Sequence, residues 1–368
     1  MPNRAAFINA KILRNGKTEN GAFAVENGVF TDYIEGESAI DLGGDTVIPG
    51  LIDIHTHGRC GFDFDETTPE DLMKLKKLYA KKGVTTVIPT LASNEYGKML
   101  KRVRAASECG FPALHIEGRY MNPEKKGAHA PEYLSPLDPK EIEDFAKAAK
   151  NMHLHFSCAF ELDTDGKFLD AILAHGYTAS LAHTTASCED ATELIKKGVS
   201  SFTHLFNAMP QIHHRAGGAV VAALISDAYV EVICDGYHLA PETVKLIRTA
   251  KSKERVVLIT DSILGAGYEG PERSFYSAGL EIFMQNGTAR LIDGTIAGST
   301  LELWQGVKNY MSFTGASLSE AVATATENPA NLLGLNDVGK IENGYKADFL
   351  RISDDLSIKE VYVGGEKI

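Results

Sequence analysis

Two kinds of pattern divide the chain. Residues 1–50 alternate loosely between apolar and polar positions in short runs, AAFINAKI, GAFAVENG and VFTDYIEG, broken by Gly and Asn. That is the signature of half-buried strands joined by turns. The stretch from Gly339 onward, GKIENGYKADFLRIS and then SIKEVYVGGEKI, repeats it. Neither piece is large enough to bury a core by itself. The two chain ends are therefore expected to pair in one small β-sandwich domain, residues 1–50 together with 337–368.

Between them, apolar runs alternate with amphipathic segments. The runs are 51–57 (LIDIHTH), 84–90 (VTTVIPT), 112–118 (PALHIEG), 153–160 (HLHFSCAF), 178–183 (TASLAH), 200–205 (SSFTHL), 229–236 (YVEVICDG) and 255–262 (RVVLITDS). Among the segments between them, PEDLMKLKKLYAKKG places Leu72, Leu75, Leu78 and Tyr79 on one helical face, and PKEIEDFAKAAKN does so with Ile142, Phe145, Ala146 and Ala149. CEDATELIKKG and APETVKLIRTAK read alike, the latter with Pro241 suited to a first turn. Eight such units in series predict an α/β fold, a (β/α)8 TIM barrel over 51–336. The rival, a doubly wound open sheet, lacks the glycine-rich loop that would follow its first strand. GLEIFMQNGTARLIDG reads as a hairpin around Asn286-Gly287, inserted after the eighth strand.

Composition removes several alternatives. The 368 residues are 44% hydrophobic and 23% charged, ordinary for a globular chain. Acidic residues outnumber basic ones 49 to 37, a net charge of −12 with no Lys/Arg stripe, so nucleic acid is not expected as a partner. The five cysteines, Cys60, Cys109, Cys158, Cys188 and Cys234, are dispersed, which argues against a disulfide framework or zinc ribbon and suits a reducing cytoplasm. The opening MPNRAAFINAKILRNG has no long apolar core, and no apolar run reaches the roughly 18 residues of a membrane span, so neither a signal peptide nor a membrane partner is expected.

The chemistry gathers where strands end, the face on which barrel enzymes place catalytic groups. His55 and His57 are two apart and so share one side of the first strand. The third run ends on Glu117, the fifth on His183, the sixth on His204 and the eighth on Asp261. Each alone reads better as a satisfied polar residue than as a ligand. Together they form a ligand set for one or two divalent ions, Zn, Fe, Co or Mn, with Glu117 able to bridge. That set supports metal-assisted hydrolysis, with Asp261 moving the proton from the attacking water to the leaving amine. The remaining histidines have plainer readings. His175 caps a helix end, His153 and His155 start a strand at the far rim, His115 lies in the core, and His213 and His214 flank Arg215 in a loop.

Longer segments carry a resemblance. VIPGLIDIHTHG resembles the first-strand signature of the amidohydrolase superfamily. HIEGRYMNPEKKGAHAPEYL, THLFNAMPQIHHRAGG, CDGYHL, LITDS, AGSTLEL, ENPANLLGL and GKIENGYKADFL are similar to segments of one of its families, the N-acetylglucosamine-6-phosphate deacetylases. The resemblance spans nearly the whole chain. It implies hydrolysis of the N-acetyl group of an amino-sugar phosphate, a small-molecule substrate, by a cytoplasmic homodimer. It implies the metal roles above, Asp261 as general acid and base, and substrate contacts from His129, Asn207, Ala208, Arg215, His238 and Leu301. Arg215 would grip phosphate, in some members across a dimer; Leu301 would line the acetyl pocket.

The chain departs from the family pattern at Arg119-Tyr120, Thr184-Thr185, Ser262-Ile263-Leu264 and Arg59. These departures leave a galactosamine-type substrate open. Another amidohydrolase, such as an aminoacylase, is the second enzymatic reading, and a non-catalytic barrel the third. Amidohydrolases that carbamylate a lysine on strand four are disfavoured, because that strand ends in Phe160-Glu161. An acidic protein that takes an anionic sugar must concentrate positive charge locally; Arg215, His238, the metals, Arg59 and Arg119 are the candidates.

Overall fold

The computed structural model describes residues 4–271, 273–285 and 287–368. Eight strands, β1 (Leu51–Thr56), β2 (Val84–Leu91), β3 (Ala113–Glu117), β4 (His153–Cys158), β5 (Thr178–Leu181), β6 (Ser201–Phe202), β7 (Tyr229–Ile233) and β8 (Val256–Ile259), pair side by side in chain order. All seven junctions are parallel. The ring closes at its C-terminal rim, where Asp261 N donates to His55 O at 2.9 Å and His57 N to Ser262 O at 2.7 Å. The eight-stranded TIM barrel is thus formed as the alternating pattern predicts.

The helices between strands start where the local chemistry dictates. Thr68 and Asp71 form a capping box at Pro69–Ala80, and Ser187 and Asp190 form another at Cys188–Lys197. The first of these helices buries Leu72, Leu75 and Tyr79 against the strands. Helix Gly218–Ile225 (GAVVAALI) is apolar on nearly every side, so no periodicity announces it.

The strands are shorter at the rim than the apolar runs. Pairing ends at Leu181, Phe202 and Ile259. His183, His204 and Asp261 therefore stand just beyond the ladder rather than on it. Their φ angles are 44°, 31° and 47°, positive values uncommon outside glycine, though His and Asp adopt them more readily than most residues. Once the ladder ends, strand alternation no longer sets side-chain direction, and the backbone turn does. Strain of this kind clusters at functional sites.

Strands from both chain ends share one eight-stranded sheet. Thr46–Pro49 pairs parallel with Arg4–Arg14 and antiparallel with Phe349–Ile352. A bulge between Phe7 and Ala10, with Asn9 at φ 54°, lets the long first strand serve Ala39–Asp41 over one half and Thr46–Pro49 over the other. Its core is aromatic: Phe7 stacks on Phe23 with centroids 5.0 Å apart, and Phe349 on Tyr362 at 4.3 Å.

After β8 the expected hairpin is part of a larger unit. Ser274–Ser277, Leu280–Gln285, Thr288–Arg290 and Ile296–Ser299 form a four-stranded antiparallel sheet. Asn286, half of the expected turn, lies outside the described residues. The first turn of this sheet is Ala278-Gly279, with φ of 46° and 81°. Positive φ at both positions is the demand of a type I′ turn, but Ala-Gly does not advertise it as Asn-Gly does. Among the described residues, no helix is long and apolar enough to cross a membrane.

Candidate metal centre and active site

Glu117, at the end of β3, is 3% exposed and lies between two groups of imidazoles. Its Oε2 stands 3.2 Å from His55 Nε2 and 3.0 Å from His57 Nε2. Its Oε1 stands 2.9 Å from His204 Nε2 and 3.4 Å from His183 Nε2. Asp261 Oδ1 completes the first group, 3.3 Å from His57 Nε2 and 3.5 Å from His55 Nε2. Two ligand sets result, His55/His57/Glu117/Asp261 and Glu117/His183/His204, each compact enough for one ion. All six metal-ligand candidates read from the sequence are gathered here.

Two of the four imidazoles are already held through their other ring nitrogen. His183 Nδ1 donates to Lys125 O at 2.8 Å, and His55 Nδ1 to Glu231 Oε2 at 3.0 Å. Each bond fixes the tautomer that leaves the Nε2 lone pair facing the cluster. His55 Nε2 is fully buried without a hydrogen-bond partner, although it points at this cluster. A buried orphan nitrogen among carboxylate oxygens is what a divalent ion satisfies, so the residues fit the group. The electrostatics agree. Burial disfavours charge on His57, yet Asp261 and Glu117 outweigh it and push its pKa up to about 10. Burial also opposes charge on Glu117, but His55, His183 and His204 hold that carboxyl well below the usual range. A field this negative holds protons or a cation, and metal binding displaces the protons.

The cluster opens into a cavity of about 420 Å³. His129, Asn207, Ala208 and His238 line it, as the resemblance implies, and Ser277, Ile282 and Ile296 of the inserted sheet roof it. His129 Nδ1 accepts from Ser93 N at 3.4 Å, so Nε2 carries the proton. Burial and the neighbouring His183 lower its pKa to about 3, which makes it a neutral donor rather than a cation. His238 Nδ1 donates to Asp235 Oδ2 at 2.7 Å. Two expected contacts are placed elsewhere. Leu301 packs in an apolar cluster with Ile52, Ile54 and Ile259, and Arg215 is exposed beside His214. Neither lines the cavity.

The model of the amidohydrolase family matches residues 46–368. The chain belongs to the amidohydrolase family. Members of this family are metal-dependent, in keeping with the two ligand sets. This amidohydrolase is 30% identical over 325 residues to the N-acetylglucosamine-6-phosphate deacetylase of Bacillus subtilis (strain 168), covering 85% of this chain and 82% of the relative. It is 29% identical over 339 residues to the N-acetylgalactosamine-6-phosphate deacetylase of Escherichia coli O157:H7, covering 89% of each. A mutant N-acetyl-D-glucosamine-6-phosphate deacetylase of Mycobacterium smegmatis, solved in complex with N-acetyl-D-glucosamine-6-phosphate, superposes with a TM-score of 0.92 at 28% identity over 99% of both chains.

The residues in which this amidohydrolase departs from the family pattern mostly face away from the cavity. Arg59 forks onto Glu302 at 2.7 and 3.0 Å. Arg119 lies over Tyr96 and reaches Glu141 at 3.3 Å, and Tyr120 Oη donates to the same carboxylate at 2.5 Å. The expectation that Arg59 or Arg119 adds charge to the substrate site is therefore corrected, since both guanidinium groups are committed to glutamates. Thr184 and Thr185 bind Glu161, which lies just beyond the end of β4. Lys125 lines the cavity and was not singled out from the sequence, because KKG reads as an ordinary solvated loop.

Gly298 marks a tight spot beside Asp261. Its φ is 73°, and a Cβ there would lie 2.8 Å from Asp261 O and 2.6 Å from Ile263 Cγ2. Gly298→Ala is expected to push Asp261 out of line and cost about 10²-fold in kcat. Steady-state kinetics beside an unchanged far-UV CD spectrum would check it; wild-type kcat would show that the contact is easily relieved.

Proposed function

We propose that this amidohydrolase removes the N-acetyl group from N-acetylglucosamine 6-phosphate, giving glucosamine 6-phosphate and acetate in amino-sugar catabolism. The observation that carries the reading is Glu117 joining two histidine groups beneath Asp261 at the floor of one cavity. When bound there, a divalent ion acidifies water to a pKa of about 7 and polarises a carbonyl. The chain's own groups do the rest. Asp261 is held ionised; burial opposes this, but His55 and His57 prevail. Its carboxylate takes the proton of the attacking water and returns it to the departing nitrogen. His129 Nε2–H donates to a substrate oxygen, and Asn207, Ala208 and His238 hold the distal, phosphorylated end. The roof strands exclude bulk water from the acetamide.

The same reading carries further expectations. The ions are Zn, Fe, Co or Mn, chosen by availability. The protein is a cytoplasmic homodimer in which Arg215, exposed on its own chain, reaches phosphate in the partner's cavity. Residues 1–50 with 337–368 form one unit and 51–336 the other. A galactosamine-type substrate is the second reading, supported by a relative of nearly equal similarity.

Acetate release is the deciding measurement. It should be fast with N-acetylglucosamine 6-phosphate, slower with its galactosamine epimer, slowest with the unphosphorylated sugar, and abolished by chelator. Metal-loaded protein inert toward all three would sink the reading, and faster turnover of the epimer would favour the second.

A further inference from the structure

β7 reads YVEVI, and its central Glu231 points into the barrel, fully buried directly beneath the metal groups. No lysine or arginine reaches it among the described residues; its hydrogen-bond partners are one imidazole and one backbone amide. Glu231 Oε2 accepts from His55 Nδ1 at 3.0 Å and from the amide of His204 at 3.3 Å. It therefore touches one residue of each ligand set. Its other oxygen, Oε1, faces His155 Nε2 at 3.6 Å, and His155 is itself held through Nδ1 by Thr178 Oγ1 at 2.7 Å. With Nδ1 accepting from the threonine hydroxyl, His155 Nε2 carries its proton and turns it toward Glu231.

A buried carboxylate is expensive to keep unless something nearby needs its charge. Two divalent ions bring four positive charges, and Glu117 and Asp261 supply only two negative ones. A third carboxylate under the pair offsets more of that charge, and its bond to His55 Nδ1 aims Nε2 into the cluster. We infer that Glu231 is a positioning residue that makes the two-ion state possible. It orients His55 and compensates the ion held by the His55/His57 set. The inference rests on the metal-dependent reading above. It adds that ion number is set by a residue that contacts no ion, with His155 facing its second oxygen at 3.6 Å.

Metal-stripped wild type, Glu231→Gln and His155→Asn would be titrated with ZnCl2 by calorimetry, with bound zinc counted after desalting. The expected result is two ions per chain for the wild type. For Glu231→Gln we expect one tight ion and a second weakened by about 10–100-fold. His155→Asn, which removes the imidazole facing Oε1 but keeps the carboxylate, should weaken the second ion by a smaller factor. It also keeps the test decisive should Glu231→Gln not fold. A carboxylate serving stability alone would lower the apo melting temperature and leave both zinc affinities alone. Wild-type affinity for the second ion in the variants, or a wild type that saturates at one ion, overturns the inference. A wild type that takes no zinc, manganese, cobalt or iron overturns the metal-dependent reading as well.

Discussion

Asp261→Asn is expected to lower kcat for acetate release by roughly 10²–10⁴-fold, the range typical for loss of a general acid–base group. The substitution keeps the shape of the side chain and removes its capacity to take a proton. The backbone at this position should hold, because Asp261 N donates to His55 O and Asp261 O accepts from Ser299 N, both main-chain bonds. Metal content should survive in part, because the Glu117/His183/His204 set does not include Asp261. The telling combination is lost turnover with at least one ion still bound, read by elemental analysis beside steady-state kinetics. A variant as fast as the wild type would remove Asp261 from the proton path. Loss of all metal would make it a ligand first and an acid–base group second.

Glu117→Gln should do more damage, by a different route. Each carboxylate oxygen serves one histidine pair, with separations of 2.9 to 3.4 Å. An amide has one acceptor oxygen, so its nitrogen must face one of the pairs. It also removes the negative charge shared by both sets. Replacing this shared ligand should cost at least the roughly 10–100-fold in affinity that loss of an outer partner costs. Both ions should be affected, and activity should fall with them. Dialysed protein carrying a full metal complement would show that the bridge is dispensable.

Much of this arrangement could be read from the chain alone, for identifiable reasons. Eight apolar runs separated by amphipathic ones specify a barrel, because a parallel strand buried on both faces needs such a run and its return needs a helix. His55 and His57 were legible through strand alternation. His183, His204 and Asp261 were legible as rim residues, but not as left-handed ones. That conformation comes from the loops that follow, and no periodicity encodes it. Glu231 escaped notice because one acidic residue inside YVEVI looks like an ordinary interruption of a strand; only the barrel shows that its side chain points inward. The roof sheet was read as one hairpin because Asn286-Gly287 is a loud turn signal and Ala278-Gly279 a quiet one. Of the six substrate contacts that entered through resemblance, His129, Asn207, Ala208 and His238 line the cavity, and Leu301 and Arg215 do not.

The sheet shared by both chain ends bears on how the protein is made. On the ribosome, Phe7 and Phe23 emerge first, whereas Phe349 and Tyr362, the rings that complete their cluster, emerge almost a whole chain later. The barrel strands are all translated in that interval. The early aromatic strands must wait, unpaired and sticky, while the (β/α)8 body assembles beside them. Nascent chains released before Phe349 should therefore be the form that chaperones hold and that aggregates when they do not.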